Sequence, residues 1–294
     1  MKIAFIGLGQ MGKHMAMNMV LKSKADVIVH DVRTDSFPEF VSKGAQTTAN
    51  ILDVVDSQII FLCLPNSQVV ESVLLGEKGI IHHLRPGQKI VDFSTIKYST
   101  TVEIAKALEA IGVGFLDAPI SGMEARAKDG TLTIMCGGSK ELFEEMMPFL
   151  ECVGTKILHM GPSGSGQLTK LINQLLFDIN IAALAEILPM SVKMGLDPVK
   201  VGEVVNSGTG RSYASEFFIQ RILKGNFAEG YSLQNAYKDL VSAAEISANL
   251  CIPMPVLNAA TTTYQMALLK GHGADDKGAM IKVFEDLLGV LYRQ

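Results

Sequence analysis

Three glycines near the start of the chain have the spacing of a phosphate-binding turn. They follow an apolar run, Lys2–Ile6, and precede a segment with helical periodicity. The turn consists of Gly7, Leu8, Gly9, Gln10, Met11 and Gly12. In a G-x-G-x-x-G pattern the first glycine allows a tight turn, the second lets a pyrophosphate approach the backbone, and the third lets helix and strand pack closely. The next helix offers N–H groups and a partial positive charge to the phosphates, so the segment predicts a dinucleotide site.

An acidic residue, Asp31, lies at the end of the second apolar run, nineteen positions after Gly12. A carboxylate at this place accepts hydrogen bonds from both ribose hydroxyls of NAD and repels the 2′-phosphate of NADP. The alternative is that Asp31 only forms a turn or caps a helix. Arg33, two positions later, is close enough to attract a phosphate. We expect NAD as the cofactor, with NADP as the less favoured alternative.

Lys170 is the candidate for proton transfer. It lies near the start of a long apolar segment, and Asn173 and Gln174 follow at i+3 and i+4, on the same face of a helix. A lysine close to a helix N-terminus, partly desolvated beside a cofactor, has a lowered pKa, which suits proton exchange with an alcohol or carbonyl oxygen. The simpler interpretation is a solvated surface lysine, but a polar face on an otherwise apolar helix argues against it.

The elements that must position these residues differ between the two halves of the chain. Up to about Gly161, short β-branched runs alternate with segments of helical spacing, which is typical of βαβ units on a largely parallel sheet. The predicted strands are Lys2–Ile6, Val27–His30, Gln58–Leu64, Lys89–Phe93, Gly114–Ala118, Thr131–Cys136 and Lys156–Met160. The predicted helices between them are Gln10–Leu21, Ser67–Leu75, Ser99–Ile111 and Lys140–Leu150.

The strand pattern ends after Gly161. A segment over about 165–194 is apolar on most of its circumference, which indicates a helix buried between layers, domains or subunits, and Pro189 within it predicts a kink. Further helices are predicted at Pro198–Asn206, Tyr213–Lys224, Leu233–Asn249, Pro255–Lys270 and Lys277–Leu291. The predicted fold is α/β: a Rossmann-type doubly wound sheet at 1–161 and an all-α substrate and oligomerisation domain at 162–294, joined by the long interdomain helix.

Composition excludes several classes of function. The 294 residues carry a net charge of −4 without a basic run, which argues against nucleic acid or an anionic membrane as partner. The histidines are scattered, and the widely spaced cysteines form no Cys-x-x-Cys pair, so we expect neither a metal nor disulfides. These cysteines are Cys63, Cys136, Cys152 and Cys251. We see no signal peptide and no apolar run of membrane length, and expect a cytoplasmic homodimer or homotetramer.

Four blocks of sequence resemble the β-hydroxyacid dehydrogenase family over essentially the whole chain. They are FIGLGQMGKHMAMNM near the start, DAPISGMEARAKDGTLTIMCGG at 117–138, GSGQLTKLINQ at 164–174 and YKDL at 237–240. The family includes 3-hydroxyisobutyrate, 2-(hydroxymethyl)glutarate and, more distantly, 6-phosphogluconate dehydrogenases, and tartronate semialdehyde reductase. The resemblance implies hydride transfer between NAD(H) and a short 3-hydroxy acid or the matching semialdehyde acid.

The resemblance also implies roles for polar residues of the helical half. Lys170 matches the general acid/base of the family, and Asn173 with Gln174 matches an Asn-Asn pair that holds the substrate. Lys238 matches a lysine that lies against cofactor and substrate, with Asp239 beside it. Their chemistry is consistent with these roles, because the cofactor carries the hydride and the protein needs only to orient it and exchange one proton.

Further contacts are implied in the loops of the first half. The implied substrate turn consists of Ser121, Gly122 and Met123, whose hydroxyl and backbone N–H groups suit a carboxylate. The implied cofactor contacts beyond the glycine turn and Asp31 are Leu64, Pro65, Asn66, Val69, Thr95 and Lys238. Ser212 and Tyr213, in a segment similar to one in the hydroxymethylglutarate enzymes, are candidate contacts for the far end of the substrate.

Three positions depart from the family pattern. Gln174 replaces a second asparagine, Met123 replaces a second glycine, and Arg126 replaces a third glycine. The first two changes alter the pocket wall and therefore bear on the identity of the substrate more than on the reaction. Arg126 is either a ligand for the second carboxylate of a dicarboxylate substrate or an exposed surface arginine.

Two other functions compete with a hydroxyacid dehydrogenase. One is an imine reductase-like enzyme on the same two-domain scaffold, and the other is a non-catalytic NAD-binding module. Proteins of both kinds that resemble this family generally lack the lysine that Lys170 matches, so its presence argues against them. A shared fold alone would not decide the question, because function depends on the residues of the site.

Overall fold

The computed structural model describes residues 1–294. Its chain divides into two compact units, Met1–Lys170 and Leu171–Gln294. The division lies within a 29-residue helix, α7 (Ser165–Lys193), and not at residue 161. Residues 165–170 of α7 therefore belong to the first unit, and residues 171–193 belong to the second.

The first unit contains one nine-stranded sheet with helices between its strands. Its strands are β1 (Lys2–Ile6), β2 (Asp26–His30), β3 (Gln46–Thr48), β4 (Ile59–Leu62), β5 (Lys89–Asp92), β6 (Gly114–Asp117), β7 (Ile120–Ser121), β8 (Leu132–Gly137) and β9 (Gly154–Gly161). Its helices before α7 are α1 (Gly12–Lys22), α2 (Phe37–Val41), α3 (Ser67–Leu74), α4 (Tyr98–Ala110), α5 (Met123–Asp129) and α6 (Lys140–Leu150), with short 3-10 helices at Ile51–Val54 and Ile80–His83.

The strand order confirms the predicted Rossmann-type sheet. Six strands run in the order β3-β2-β1-β4-β5-β6, and every neighbouring pair among them is parallel. This is the order of a dinucleotide-binding fold, in which the chain reverses direction across the sheet at β1 and leaves a crevice at the carboxyl ends of the strands. Beyond β6 the sheet continues with β8, which is antiparallel to β6 and β7 and parallel to β9.

Both faces of the sheet are covered. In β1, Ile3 and Phe5 belong to one buried cluster and Ala4 and Ile6 belong to another. Successive side chains of a strand point to opposite faces, so each cluster lies on one side of the sheet. Burial on two faces explains why the central strands are continuous apolar runs and not alternating ones.

The short elements were missed in the sequence. Strands β3 and β7 contain three and two residues, and α2 contains five, which is too short for a periodic pattern. The predicted helix Lys277–Leu291 is wrong in its bounds, because Lys277–Met280 is a 3-10 helix and the α-helix covers Ile281–Leu288. It ends at Gly289, whose left-handed backbone conformation terminates helices.

The second unit is entirely helical. After α7 it contains α8 (Pro198–Ser207), α9 (Tyr213–Leu223), α10 (Leu233–Leu250), α11 (Pro255–Leu269) and α12 (Ile281–Leu288), with 3-10 helices at His272–Ala274 and Lys277–Met280. Its core joins buried residues of α7, such as Ile181 and Leu188, to buried residues of α9, α10 and α11, such as Phe218, Leu240 and Tyr264. Helix α7 continues through Pro189 to Lys193, within one residue of its predicted end.

Helix α7 is long and apolar enough to cross a membrane by length and composition alone, with a mean hydropathy of 1.7 over 18 residues. The expectation that the chain holds no apolar run of membrane length is therefore wrong. Burial explains part of this composition, because Ile181, Ala185 and Leu188 lie in the core of the helical unit. The polar Asp178, on the same helix, is fully buried.

A buried ion pair joins α7 to the C-terminal part of the second unit. The ammonium of Lys277 donates to Asp178, and both side chains are 0% exposed. The hydroxyl of Tyr264 also donates to Asp178, at 2.9 Å, and the ammonium lies 4.6 Å from the ring centroid of Phe177. Each buried charge thus has a countercharge and further polar or aromatic contacts, as such groups require in a core.

Candidate cofactor and active site

The glycine turn leaves open space where a pyrophosphate would approach. A Cβ atom added to Gly7 would lie 2.3 Å from the Cys63 carbonyl oxygen, and one added to Gly12 would lie 2.0 Å from the Gly7 carbonyl oxygen. These two glycines therefore permit close packing. A Cβ atom added to Gly9, in contrast, would meet nothing within 4 Å. The middle glycine borders an open space, which fits its role in the cofactor pattern.

The N-terminus of α1 adds to this fit. The helix follows the glycine turn directly and has neither a side-chain cap nor an acidic residue in its first turn. The N–H groups at its start are thus not occupied by a side chain, and its dipole favours an anion. The residues present fit the phosphates of a dinucleotide.

Asp31 follows β2 and is held beside the glycine turn. Its Oδ2 atom accepts the N–H of Leu8 at 2.6 Å, and its Oδ1 atom accepts the N–H of Arg33 at 2.8 Å. Two oxygens of a carboxylate offer about four lone-pair sites, so two acceptor sites remain for ribose hydroxyls. Asp31 thus also organises a turn, as the alternative interpretation held, and both roles are compatible.

The predicted cofactor residues in the loops after β4 and β5 lie at the same edge of the sheet. Leu64 follows β4, and its N–H donates to the Ser94 hydroxyl at 2.8 Å. Asn66 caps α3, since its side-chain oxygen accepts the N–H of Val69 at 3.0 Å. Thr95 is exposed in the loop after β5. Because β1, β4 and β5 are adjacent and parallel, these loops meet at the carboxyl edge, where such folds bind their ligands.

The first turn of α7 is held by a carboxylate that the sequence analysis missed. Asp117, at the end of β6, accepts the N–H of Gly164 at 2.6 Å and the N–H of Gln167 at 3.0 Å. The side chain of Asp117 is 0% exposed. Burial raises the pKa of Asp117 to about 6, although the backbone N–H bonds oppose that shift. The two N–H donors and the helix N-terminus favour the ionised form of this carboxylate.

Gln167 was missed as well. It is 3% exposed, its amide nitrogen donates to the Ser94 carbonyl at 2.7 Å, and its amide oxygen accepts the N–H of Ile96 at 3.2 Å. Asp117 and Gln167 both lie in blocks of sequence that resemble the β-hydroxyacid dehydrogenase family, at 117–138 and 164–174. Their polar types next to apolar runs were the available signal, but the sequence does not show which backbone groups they contact.

A second buried carboxylate, Asp92, ends β5. Burial raises its pKa to about 7, the N–H and hydroxyl of Ser94 lower it, and the nearby Asp117 raises it. The N–H of Ser94 donates to its Oδ1 atom at 2.9 Å, while its Oδ2 atom has no hydrogen-bond partner. Burial and Asp92 also raise the pKa of the Cys63 thiol to about 12, so this thiol is not a nucleophile at neutral pH.

The implied substrate turn has an unusual backbone. Ser121 ends β7, and α5 begins at Met123. Gly122 has φ +146, and Met123 has φ +60, in a region that side-chain-bearing residues avoid at a cost of about 1–2 kcal/mol. The Met123 side chain is 46% exposed. Arg126, also exposed, donates to the Thr131 carbonyl, which secures one of its five N–H groups.

A carboxylate bridges the substrate turn and the glycine turn. Glu124, beside Met123, accepts the side-chain N–H of Gln10 at 2.8 Å, and its other oxygen lies 3.0 Å from Nε2 of His14. These two contacts lower the pKa of Glu124. Helix α5 is thereby joined to the turn that carries the cofactor motif and to the helix that follows it.

Lys170, half-buried, is the last residue of the first unit. It lies in the second turn of α7, and the next polar residues of that helix, Asn173 and Gln174, lie just inside the second unit. The helix confirms the spacing of these three positions. Asn173 is exposed, and its amide nitrogen lies 3.5 Å from the side-chain oxygen of Gln174.

The remaining predicted residues lie in the second unit. On α10, exposed Lys238 donates to Asn235 at 3.2 Å and half-buried Asp239 follows it. Ser212 caps α9, because its hydroxyl accepts the N–H of Ser215 at 3.1 Å. Tyr213 packs its ring against Phe177 and Phe217. No group of three or more His, Cys, Asp or Glu side chains is placed to hold a metal ion.

Comparisons with known proteins cover nearly the whole chain. Residues 2–161 match the model of the NAD binding domain of 6-phosphogluconate dehydrogenase, and residues 164–284 match that of the NAD-binding region of NADP-dependent 3-hydroxyisobutyrate dehydrogenase. The 2-(hydroxymethyl)glutarate dehydrogenase of Eubacterium barkeri is 40% identical over 98% of this chain and 96% of its own. The 2-hydroxy-3-oxopropionate reductase of Escherichia coli is 33% identical over 97% of both chains.

Solved structures are also similar. The 3-hydroxyisobutyrate dehydrogenase from Salmonella typhimurium has a TM-score of 0.85 and 28% identity, covering 96% of this chain and 99% of that one. The structure of Psf3 in complex with NADP+ and 2-OPP has a TM-score of 0.81 and 25% identity, covering 97% and 99%. The two-part architecture is thus shared over the full length of these proteins.

The open space at Gly9 predicts that substitutions of Gly9 and Gly12 have different effects, one on cofactor binding and the other on the stability of the fold. Gly9→Ala should leave the Tm within about 2 °C of the wild type, because the new methyl group meets no protein atom, yet weaken NADH binding at least tenfold by occupying the pyrophosphate space. Gly12→Ala should lower the Tm by several degrees, because its methyl group overlaps the Gly7 carbonyl. Thermal unfolding and NADH fluorescence titration measure both. If Gly9→Ala bound NADH as tightly as the wild type, the assignment of the cofactor to this turn would be wrong.

Proposed function

The chain belongs to the β-hydroxyacid dehydrogenase family, and from that premise we propose that it transfers a hydride between NAD(H) and a short 3-hydroxy acid or the matching semialdehyde acid. One observation carries the proposal: the open glycine turn, the fixed carboxylate of Asp31 and the anchored start of the helix bearing Lys170 all occur in one sheet unit. The named relatives are dehydrogenases and reductases of hydroxy acids, which favours this activity over imine reduction or NAD binding alone.

The proposed chemistry divides between cofactor and protein. When bound, NAD supplies the hydride acceptor, held by the glycine turn and Asp31. In the oxidation direction Lys170 Nζ takes the proton of the substrate hydroxyl, and in the reduction direction it returns that proton to the oxygen. The family resemblance assigns the substrate carboxylate to the turn at Ser121, Gly122 and Met123. It assigns further substrate and cofactor contacts to Asn173, Gln174, Lys238 and Asp239.

Removal of the Lys170 ammonium should stop turnover without preventing cofactor binding. Lys170→Met is expected to lower kcat by about 100-fold or more, the usual contribution of a general acid/base, while the Kd for NADH changes less than about threefold. Lys193→Met is the matched control, because Lys193 is an exposed lysine at the other end of the same helix. Steady-state rates and fluorescence titration decide the question. Near-full turnover in Lys170→Met would refute the proton-transfer role.

For the substrate we propose a dicarboxylate of the 2-formylglutarate type. The support is the 40% identity to an enzyme named for 2-(hydroxymethyl)glutarate and the exposed guanidinium of Arg126, three positions after the substrate turn. NADH oxidation should then be faster with 2-formylglutarate than with any of four comparison substrates. These are glyoxylate, succinic semialdehyde, tartronate semialdehyde and methylmalonate semialdehyde. Arg126→Ala should raise the KM for 2-formylglutarate about tenfold and leave the other KM values within twofold. An equal effect on all substrates would exclude Arg126 as the ligand.

For the cofactor we propose NAD over NADP, on the strength of the Asp31 carboxylate. Asp31→Ser should lower kcat/KM for NADH and raise it for NADPH, shifting their ratio by about tenfold or more, because a like charge no longer faces the 2′-phosphate. Initial rates with the two reduced cofactors measure the shift. Asp35→Ser serves as the control, since that exposed carboxylate lies outside the proposed ribose contact. An unchanged ratio in Asp31→Ser would contradict the assignment.

For the assembly we propose a homodimer or homotetramer formed through α7. Ile172, Leu176, Ile187 and Met190 are between 49% and 61% exposed, and at 100° per residue they lie within about 60° of one another on the helix. Such an apolar stripe marks an interface, and a second copy of the chain offers the matching stripe. Light scattering should give two or four times 31.7 kDa, and a monomer would refute the proposal.

The location we propose is the cytoplasm. None of the four cysteines forms a disulfide, and burial raises the pKa of Cys63, Cys136 and Cys152. Unreactive thiols of this kind fit a reducing compartment.

A further inference from the structure

We propose that Asp117 and Gln167 are positioning residues, which together fix the first turn of α7, and therefore Lys170, against the loops that follow β4 and β5. This inference rests on the proposed function, because it assigns these residues to the orientation of the proton-transfer group. All of the groups concerned lie within Met1–Lys170, which is one compact unit.

The first anchor is the carboxylate of Asp117. Its two oxygens accept N–H groups that precede and begin α7, from Gly164 at 2.6 Å and from Gln167 at 3.0 Å. A carboxylate with two separated acceptor atoms fixes the direction of a helix as well as the position of its end. Strand β6, which carries Asp117, is paired with β5 over its whole length, so the anchor itself is rigid.

The surrounding backbone is adapted to this anchor. A Cβ atom at Gly166 would lie 2.7 Å from Oδ2 of Asp117 and 2.3 Å from the Met135 carbonyl oxygen. A Cβ atom at Gly137 would lie 2.5 Å from Oδ1 of Asp117 and 2.9 Å from the Gly166 nitrogen. Both positions must therefore be glycine for α7 to approach β6 and β8 this closely.

The second anchor is the side chain of Gln167. It donates to the Ser94 carbonyl at 2.7 Å and accepts the N–H of Ile96 at 3.2 Å, one on each side of Thr95. The hydroxyl of Ser94 in turn accepts the N–H of Leu64 at 2.8 Å. One glutamine thus connects α7 to the loop after β5 and, through Ser94, to the loop after β4.

These contacts bear on catalysis through the position of Lys170. Lys170 lies three residues after Gln167, less than one helical turn along α7, and a helix transmits the placement of one turn to the next. Leu64 and Thr95, which lie in the two connected loops, are among the proposed cofactor contacts. The same bonds therefore set the proton-transfer group and the cofactor loops relative to one another, and misplacement by about 1 Å can cost 100-fold in rate.

The test compares two glutamines of similar hydrogen bonding. Gln88, before β5 at the opposite edge of the sheet, donates to the Val55 and Ser57 carbonyls at 2.7 Å each and accepts the N–H of Arg85. Gln167→Leu and Gln88→Leu each remove a side-chain amide that joins backbone segments. Both should lower the Tm by a few degrees. Only Gln167→Leu should lower kcat, by tenfold or more, with the Kd for NADH within threefold of the wild type.

A second measurement does not depend on turnover. Amide hydrogen exchange of the NADH-bound protein should become faster in Gln167→Leu both at 164–170 and at 94–97, and in Gln88→Leu at neither segment. Asp117→Asn keeps the shape of the side chain but removes its charge, and it should give the same exchange pattern as Gln167→Leu. It is the variant to measure if Gln167→Leu does not fold.

The outcomes separate this inference from the proposed function. Equal kcat in the two leucine variants, or faster exchange at 164–170 without a change at 94–97, would overturn the positioning role. If the wild type binds NADH but turns over no substrate, the proposed function fails. The exchange pattern then decides by itself whether Gln167 joins α7 to the loop after β5.

Discussion

A parallel sheet buried on both faces restricts where this protein can place polar chemistry. The side chains of β1, β4 and β5 pack into two apolar clusters, so a polar group in mid-strand would lose its hydration without gaining a partner. The loops at the carboxyl ends are the places where backbone groups and polar side chains meet. Gly7, Asp31, Leu64 and Thr95 all lie there, and the adjacency of their strands brings them together.

Two carboxylates lie where the apolar part of the sheet ends, at the last residues of β5 and β6. Asp92 and Asp117 are fully buried, and burial raises the pKa of each. They differ in their partners. Asp117 accepts backbone N–H groups at the start of a long helix, which stabilises its charge. Asp92 has one oxygen without a hydrogen-bond partner. The better-satisfied carboxylate is the one that anchors α7.

Local patterns were sufficient to predict the regular parts of the fold. The glycine turn, Asp31 and the helical spacing of Lys170 and Asn173 follow from contacts within one βαβ unit or one helix, which sequence periodicity reveals. Asp117 and Gln167 could not be predicted, since their partners lie about 50 and 70 positions away in sequence and depend on strand order. Helix α5 was also missed, because its seven residues are too few for a periodic pattern.

The division of the chain inside α7 bears on how such proteins exchange parts in evolution. A recombination point at the end of β9, where the sheet ends, would bring the first turn of α7 from one parent against Ser94 and Asp117 of the other. A crossover after Lys170 would instead keep the side-chain hydrogen bonds of Asp117 and Gln167 within one parent. The segment that recombination can exchange as one unit is therefore the sheet together with the first turn of α7. Hybrids joined at the end of β9 would function only if both parents share that turn.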